Sequence, residues 1–178
     1  IAEGCDNRCA YCAIPDIRGR FRSRPMENIL EECRGLAESG VREIILVAQD
    51  ITRYGTALYK KRSLASLCRE IAKIEGVDWI RLHYLYPDQF DDELIDTIAS
   101  EDKIVKYLDI PLQHINDDIL RRMNRRGTGA EIRALLKTLR ERIPELVIRT
   151  SLITGLPGET EAEFEELCVW LREARIER

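Results

Sequence analysis

Apolar positions along the 178-residue chain fall into two alternating kinds of run. Short β-branched blocks occur at REIILVA (42–48), WIRLHYL (79–85), KYLDIPL (106–112) and LVIRTSLI (146–153). They are continuous rather than alternating, which predicts strands buried on both faces. IAEG at residues 1–4 reads as the end of one more strand. Between the blocks, apolar residues recur three and four apart, the helical spacing. Ile29, Leu30, Cys33 and Leu36 form one such stripe. Leu64, Leu67, Cys68 and Ile71 form a second, and Phe164, Leu167, Cys168 and Leu171 a third. These three cysteines are expected to pack as small hydrophobes on buried faces.

Start and stop signals frame the helices. Pro25 precedes MENILEECRGLAES, and Gly40 follows it. Ser63 is placed to cap LASLCREIAKI. DDELIDTIAS and DDILRRMN begin with acidic residues, which suit the positive end of a helix. Thr128 with Glu131, and Thr160 with Glu163, have capping-box spacing. A repeating strand–helix order predicts an α/β fold with a parallel sheet covered by helices. Local pattern does not choose between an open sheet and a barrel. In either, functional loops lie at the carboxyl ends of the strands, and the loop after IAEG belongs to that face.

Composition changes this picture little. Charged residues make up 34% and apolar residues 44%, as in ordinary globular domains. No stretch approaches the roughly 18 apolar residues of a membrane span, and no basic start with an apolar run marks a signal peptide. The formal charge of −4 gives no global attraction to nucleic acid. The cytoplasm is the expected compartment, where thiols stay reduced.

That compartment gives the opening IAEGCDNRCAYCAIP its meaning. Cys5, Cys9 and Cys12 are spaced C-x3-C-x2-C. Three thiolates on one loop can hold an iron–sulfur centre with one position left open. A zinc site is the competing reading, its fourth ligand coming from His83 or His114, the only histidines. A disulfide would leave one thiol over.

The CDNRCAYC stretch resembles the signature of radical S-adenosylmethionine (SAM) enzymes. That resemblance implies three cysteines on a 4Fe–4S cluster, with the fourth iron free for SAM. It also implies a partial TIM-like barrel of six βα units, here truncated before its last strand. RGRFRSRP, ILVAQDITRYG, IPLQH with ILRRMNR, and RTSLITGLPGETEAEF are similar to segments of the methylthiotransferase family within it. RLHYLYP and YLDIPLQH look like the branch that modifies an aspartate of small-subunit ribosomal protein twelve. The resemblance implies that residues 1–178 are an excised catalytic domain. Full members add an amino-terminal cluster domain and a carboxyl-terminal RNA-binding-like domain, so the sulfur-handling half of the reaction is expected to be missing. The implied partners are that ribosomal protein with nearby ribosomal RNA, SAM and an electron donor. A tRNA-adenosine methylthiotransferase is the alternative within the family. A non-enzymatic zinc- and RNA-binding domain is the alternative outside it.

The family pattern also marks candidate contacts. Tyr11 is expected against the cluster or adenine, with loop packing as its other reading. Gln49 and Asp50 follow a strand, where Asp50 suits SAM's ammonium or caps a turn. Gln113 is a candidate for a ribose or carboxylate hydrogen bond. Arg149 lies in an apolar run and must be paired or functional; SAM's carboxylate or a buried carboxylate would satisfy it. Gly155 opens GLPGE, a turn expected to approach adenine. Arg8 or Arg18 would ease cluster reduction. The basic runs at 18–25, 60–62 and 121–126 read as solvated faces, with Arg20, Arg22 and Arg24 as docking candidates.

Overall fold

The computed structural model describes residues 1–178 and begins with a small antiparallel ribbon. Strand β1 (Ala2–Glu3) pairs with β2 (Arg22–Ser23), with helix α1 (Ile14–Arg18) between them. Helix α2 (Met26–Glu38) leads to the main sheet. That sheet has four parallel strands in sequence order: β3 (Glu43–Leu46), β4 (Trp79–Leu82), β5 (Ile104–Asp109) and β6 (Val147–Arg149). Helices α3 (Thr56–Tyr59) and α4 (Leu64–Ala72) join β3 to β4. Helix α5 (Asp92–Ser100) joins β4 to β5, α6 (Asp117–Arg122) and α7 (Gly129–Arg142) join β5 to β6, and α8 (Glu161–Ala174) follows.

The IAEG segment differs from expectation. It is half of the ribbon rather than a member of the parallel sheet, because Arg22 and Ser23 return alongside it. The ribbon still leans on the sheet, since the Ile1 amino group donates to the Val47 carbonyl at 3.0 Å. At the far edge, the Arg178 N–H donates to Ile148 O at 3.3 Å, and the Thr150 N–H donates to Arg178 O at 2.8 Å. That is the bonding of a parallel neighbour to β6.

Each apolar block outlasts its ladder. Val47–Ala48, His83–Leu85 and Ile110–Leu112 leave the sheet just after its last paired residues. The burial of the sheet is also one-sided. Ile44, Leu46, Ile80, Leu82, Leu108 and Ile148 face the helices in a core of 35 buried residues. On the opposite face Ile45 is 49% and Trp79 56% exposed. The expectation of strands covered on both sides therefore holds for one side only.

The helical stripes are close to those expected, with shifts. On α2 the buried line is Ile29, Cys33 and Ala37, while Leu36 is exposed. On α4, Leu64, Leu67, Cys68 and Ile71 are all buried, and burial pushes the Cys68 thiol up to about 12. On α8, Leu167 and Trp170 carry the contact, Cys168 is half-buried and Phe164 is exposed. Thr128 and Glu131 close a capping box, with Thr128 N–H to the Glu131 carboxylate at 2.7 Å and Glu131 N–H to the Thr128 hydroxyl at 3.2 Å. Ser63 precedes α4 but donates its hydroxyl to Lys61 O at 3.3 Å instead of capping.

One glycine fixes where the cysteine loop leaves the ribbon. Gly4 has φ +79°, and a Cβ there would lie 2.3 Å from Arg20 O. The Cys5 N–H donates to Gly19 O at 3.1 Å, locking the same corner. Gly4→Ala is therefore expected to destabilise the chain by about 1–3 kcal/mol, from left-handed strain plus the clash. Denaturant unfolding of the variant beside the parent measures this, and an unchanged midpoint would refute it.

Candidate cluster and cofactor site

The cysteine loop closes over the carboxyl ends of the strands and leaves a cavity of about 360 Å³. That volume is within the range of small-molecule sites. Cys5, Cys9 and Cys12 all line it, as do Tyr11, Gln49 and Gln113. The chain ends beyond the ladders supply the rest of the wall: Val47 and Ala48 after β3, Tyr84 to Tyr86 after β4, and Pro111 after β5. All six cysteines of the chain are free.

This donor set fits an iron–sulfur cluster. Three soft thiol ligands face one largely apolar cavity. No three His, Cys, Asp or Glu side chains converge on a single ion position. A cubane cluster spreads its iron-bound sulfurs over several ångströms, so it does not need such convergence, whereas tetrahedral zinc does. The Cys5 thiol is pushed above its ordinary value, first by burial. The Asn7 N–H, which donates to Cys5 Sγ at 3.4 Å, opposes that shift, and the neighbouring Asp50, Cys9 and Cys12 add to it.

A strap from more than 110 residues further along the chain holds the loop. Met123 O accepts from Ala10 N–H at 2.9 Å, and Asn124 Nδ2 donates to Arg8 O at 2.7 Å. Arg125 Nη1 donates to the Tyr11 hydroxyl at 3.1 Å, and Arg126 Nη2 bonds to Asn7 Oδ1. Arg125 also donates to Pro111 O at 2.7 Å and lies 4.4 Å from the Tyr86 ring centroid. Sequence reading treated RRMNRR (121–126) as a solvated face and missed this role. Its non-contiguous partners were the missing information, and only the tertiary fold supplies them.

Two non-glycine residues in the wall have left-handed backbone, Tyr84 at φ +63° and Gln113 at φ +72°. Such conformations persist where surrounding structure enforces them, and they concentrate at ligand sites. Gln113 is tied on both sides, donating its N–H to Ser151 O at 2.9 Å and accepting from Ile153 N–H at 2.9 Å.

Three expected cofactor contacts lie outside this lining. Asp50 is fully buried behind it. There it caps the short turn Ile51–Arg53, accepting from Thr52 N–H at 3.1 Å and from the Thr52 hydroxyl. Its Oδ2 has no partner, and burial pushes its carboxyl up. Arg149 donates to the buried carboxylate of Asp109 at 2.7 Å, the ion pair that an arginine in an apolar run requires. Gly155 is exposed with φ +78° and has no atom near its Cα face.

The remaining candidates are placed as follows. His114 is buried, with Nδ1 accepting from Asn116 N–H at 3.0 Å and Nε2 3.3 Å from Glu159, so it staples two loops. His83 Nδ1 lies 3.9 Å from Asp109 on the open sheet face. Arg18 and Arg22 both pair with Glu3, Arg20 with Asp6 and Arg24 with Glu32.

The Radical SAM superfamily model matches residues 1–171. The chain belongs to the radical SAM superfamily. Its members use a 4Fe–4S cluster and SAM, which is the chemistry the three-thiol cavity suits. Among curated proteins, the ribosomal protein uS12 methylthiotransferase RimO of Geobacter sulfurreducens is 56% identical over all of this chain and 40% of its own length. The protein of the same name from Acetivibrio thermocellus is 54% identical over all of this chain and 39% of its own length. The chain thus spans about two fifths of these relatives. Among solved structures, the cobalamin-dependent SAM radical enzyme OxsB aligns with TM-score 0.72 at 14% identity, over 96% of this chain and 25% of that one. That likeness concerns the fold, a partial radical SAM barrel built on the parallel sheet.

Two outcomes follow for this radical SAM domain. Gln113→Gly removes left-handed strain, so the chain should gain up to about 1 kcal/mol in stability while binding SAM more weakly. Unfolding and calorimetric titration of SAM into reconstituted protein measure the two; tighter or unchanged SAM binding would remove Gln113 from the site. The raised carboxyl of Asp50 stabilises the fold fully below pH 3.8, and that contribution is lost as pH rises through its elevated folded value. Asp50→Asn should therefore match the parent in acid and exceed it in stability at neutral pH. Unfolding midpoints across that window test this.

Proposed function

We propose that the chain is the radical domain of a methylthiotransferase that adds a methylthio group to the β-carbon of an aspartate in ribosomal protein uS12. The observation that carries this reading is whole-chain identity above one half to relatives bearing that name, joined to three free cysteines on one cavity. Cys5, Cys9 and Cys12 would hold the 4Fe–4S cluster, which would supply the single electron needed for reductive cleavage of SAM and so for hydrogen abstraction at the substrate carbon.

The chain's own residues then have distinct work. Cys5, Cys9 and Cys12 give up their protons to hold iron as thiolates, and at Cys5 iron binding works against the upward push that burial gives the thiol. Gln49 and Gln113 face the cavity with amides able to bond SAM's ribose or carboxylate. Tyr11, Tyr86 and Leu85 give it apolar walls that keep water from a radical. Asp50, Arg149 and Gly155 act from behind or beside these residues, by capping a turn, pairing a carboxylate and turning the chain.

Docking of the ribosomal protein, with adjoining ribosomal RNA, falls to the rim outside the cavity, and the electron comes from a separate donor. Arg20, whose side chain is 91% exposed, retains the most freedom to meet an acidic partner. Ribosomal substrate implies the cytoplasm, and no helix is long and apolar enough to cross a membrane.

Cys5→Ala, Cys9→Ala and Cys12→Ala are each expected to abolish cluster assembly and SAM cleavage. Cys33→Ala and Cys68→Ala should keep both and lose about 1 kcal/mol of packing stability. Iron and sulfide assays with 5′-deoxyadenosine quantification read this out, and full iron in a first-group variant would defeat the assignment. The target is tested with the full-length enzyme offered uS12 or tRNA and its products weighed by mass spectrometry. A mass gain on tRNA alone would replace the ribosomal reading with the tRNA one.

A further inference from the structure

Fifteen residues line the cluster cavity, and apart from the ligand cysteines only one carries a titratable charge at neutral pH: Arg125. Its neighbours in the basic run are compensated or turned away. Arg121 pairs with Asp118, Arg122 bonds to Gly158 O, and Arg126 pairs with Asp88 at 3.2 Å. Arg125 has no carboxylate partner. Its three neighbours are the Tyr11 hydroxyl, the Pro111 carbonyl and the Tyr86 ring. A phenol is neutral at pH 7 in any surroundings, so neither tyrosine cancels the guanidinium charge. The other cations expected near the cluster are accounted for differently. Arg18 is neutralised by Glu3 at 2.8 Å, and Arg8 contributes only its backbone carbonyl to the strap.

We propose that Arg125 is the residue that sets the charge of the cluster cavity and positions the ligand loop within it. Tyr11 lies between ligands Cys9 and Cys12, so a bond from Arg125 to its hydroxyl fixes the loop between two thiolates. A cluster on three thiolates becomes one unit more negative when it accepts an electron. A fixed, partly desolvated guanidinium in the wall favours that reduced state over the oxidised one. No bond forms or breaks at Arg125, and the electron comes from the reductant. Arginine suits the place because its planar fork can serve two acceptors while its face lies on an aromatic ring. This inference rests on the iron–sulfur reading of the cavity.

The test uses anaerobically reconstituted holoprotein and three variants: Arg125→Gln, Arg125→Lys and Tyr11→Phe. Iron and sulfide content is measured first. The midpoint potential is then followed by electron paramagnetic resonance during titration with dithionite. Arg125→Gln should assemble the cluster and shift its one-electron reduction equilibrium at least tenfold toward the oxidised form, about 59 mV more negative. Arg125→Lys keeps the charge and should stay near the parent potential. Tyr11→Phe keeps the charge but loses the hydrogen bond, so its potential should hold while the cluster is lost faster to a chelator. If Arg125→Gln does not retain iron, the lysine variant at parent potential still carries the assignment. Equal potentials in the parent and Arg125→Gln would overturn it. So would a glutamine-like potential in Arg125→Lys, or iron loss from both variants, which would reduce Arg125 to packing. Failure of the parent itself to take up a cluster would instead refute the iron–sulfur reading.

Discussion

A parallel ladder makes the chain return after every strand, so all carboxyl ends open on one rim. Here that rim is where the apolar segments keep going after their pairing stops. Residues following β3, β4 and β5 all turn into the same cavity wall. The helices on the opposite side bury the outward-facing half of each strand and hold the sheet rigid. The site is thus a by-product of direction: a sheet with one reversed strand would send one wall segment to the other end of the molecule.

Much of this was legible in the chain. The four central strands, the long helices and the Thr128–Glu131 box have local signals, and periodicity reads them directly. The three clustered cysteines were legible as a group because they lie close in sequence on one loop, which brings them all to one cavity. Strand ends were less so. Val47, Tyr84 and Pro111 belong to apolar runs, yet they line a cavity rather than pair in a ladder, and hydrophobicity does not distinguish the two fates. Arg125 was hidden for another reason. A cation in a basic run looks solvated until its Tyr86 and Tyr11 neighbours, distant in sequence, are known. Arg149 shows the converse, a charged residue at a strand end that the fold pairs internally, and Asp50 does so in part, capping a turn with one carboxylate oxygen while the other has no partner.

Strain and burial are unevenly spread, and the uneven places cluster at the cavity. Tyr84 and Gln113 hold left-handed backbone there, Cys5 is pushed toward its protonated form, and Asp50 keeps an unpaired oxygen behind the wall. The left-handed backbone and the unpaired oxygen each lower the stability of the protein without its cofactors. A group bound in the cavity would offset that cost by binding the folded chain and not the unfolded one. The cluster-free protein is therefore weakest in the region that ligand binding strengthens.

The strap has a consequence for biosynthesis. The cysteines leave the ribosome before the strap does, because Arg125 and Arg126 lie 114 and 119 residues beyond their partners Tyr11 and Asn7. At ordinary translation rates the nascent loop waits on the order of 10 s before its anchor exists. During that interval three thiols sit unshielded on an unanchored segment. The bonds that fix the loop can form only once residue 126 has been made, so the loop's final geometry is a late product of synthesis.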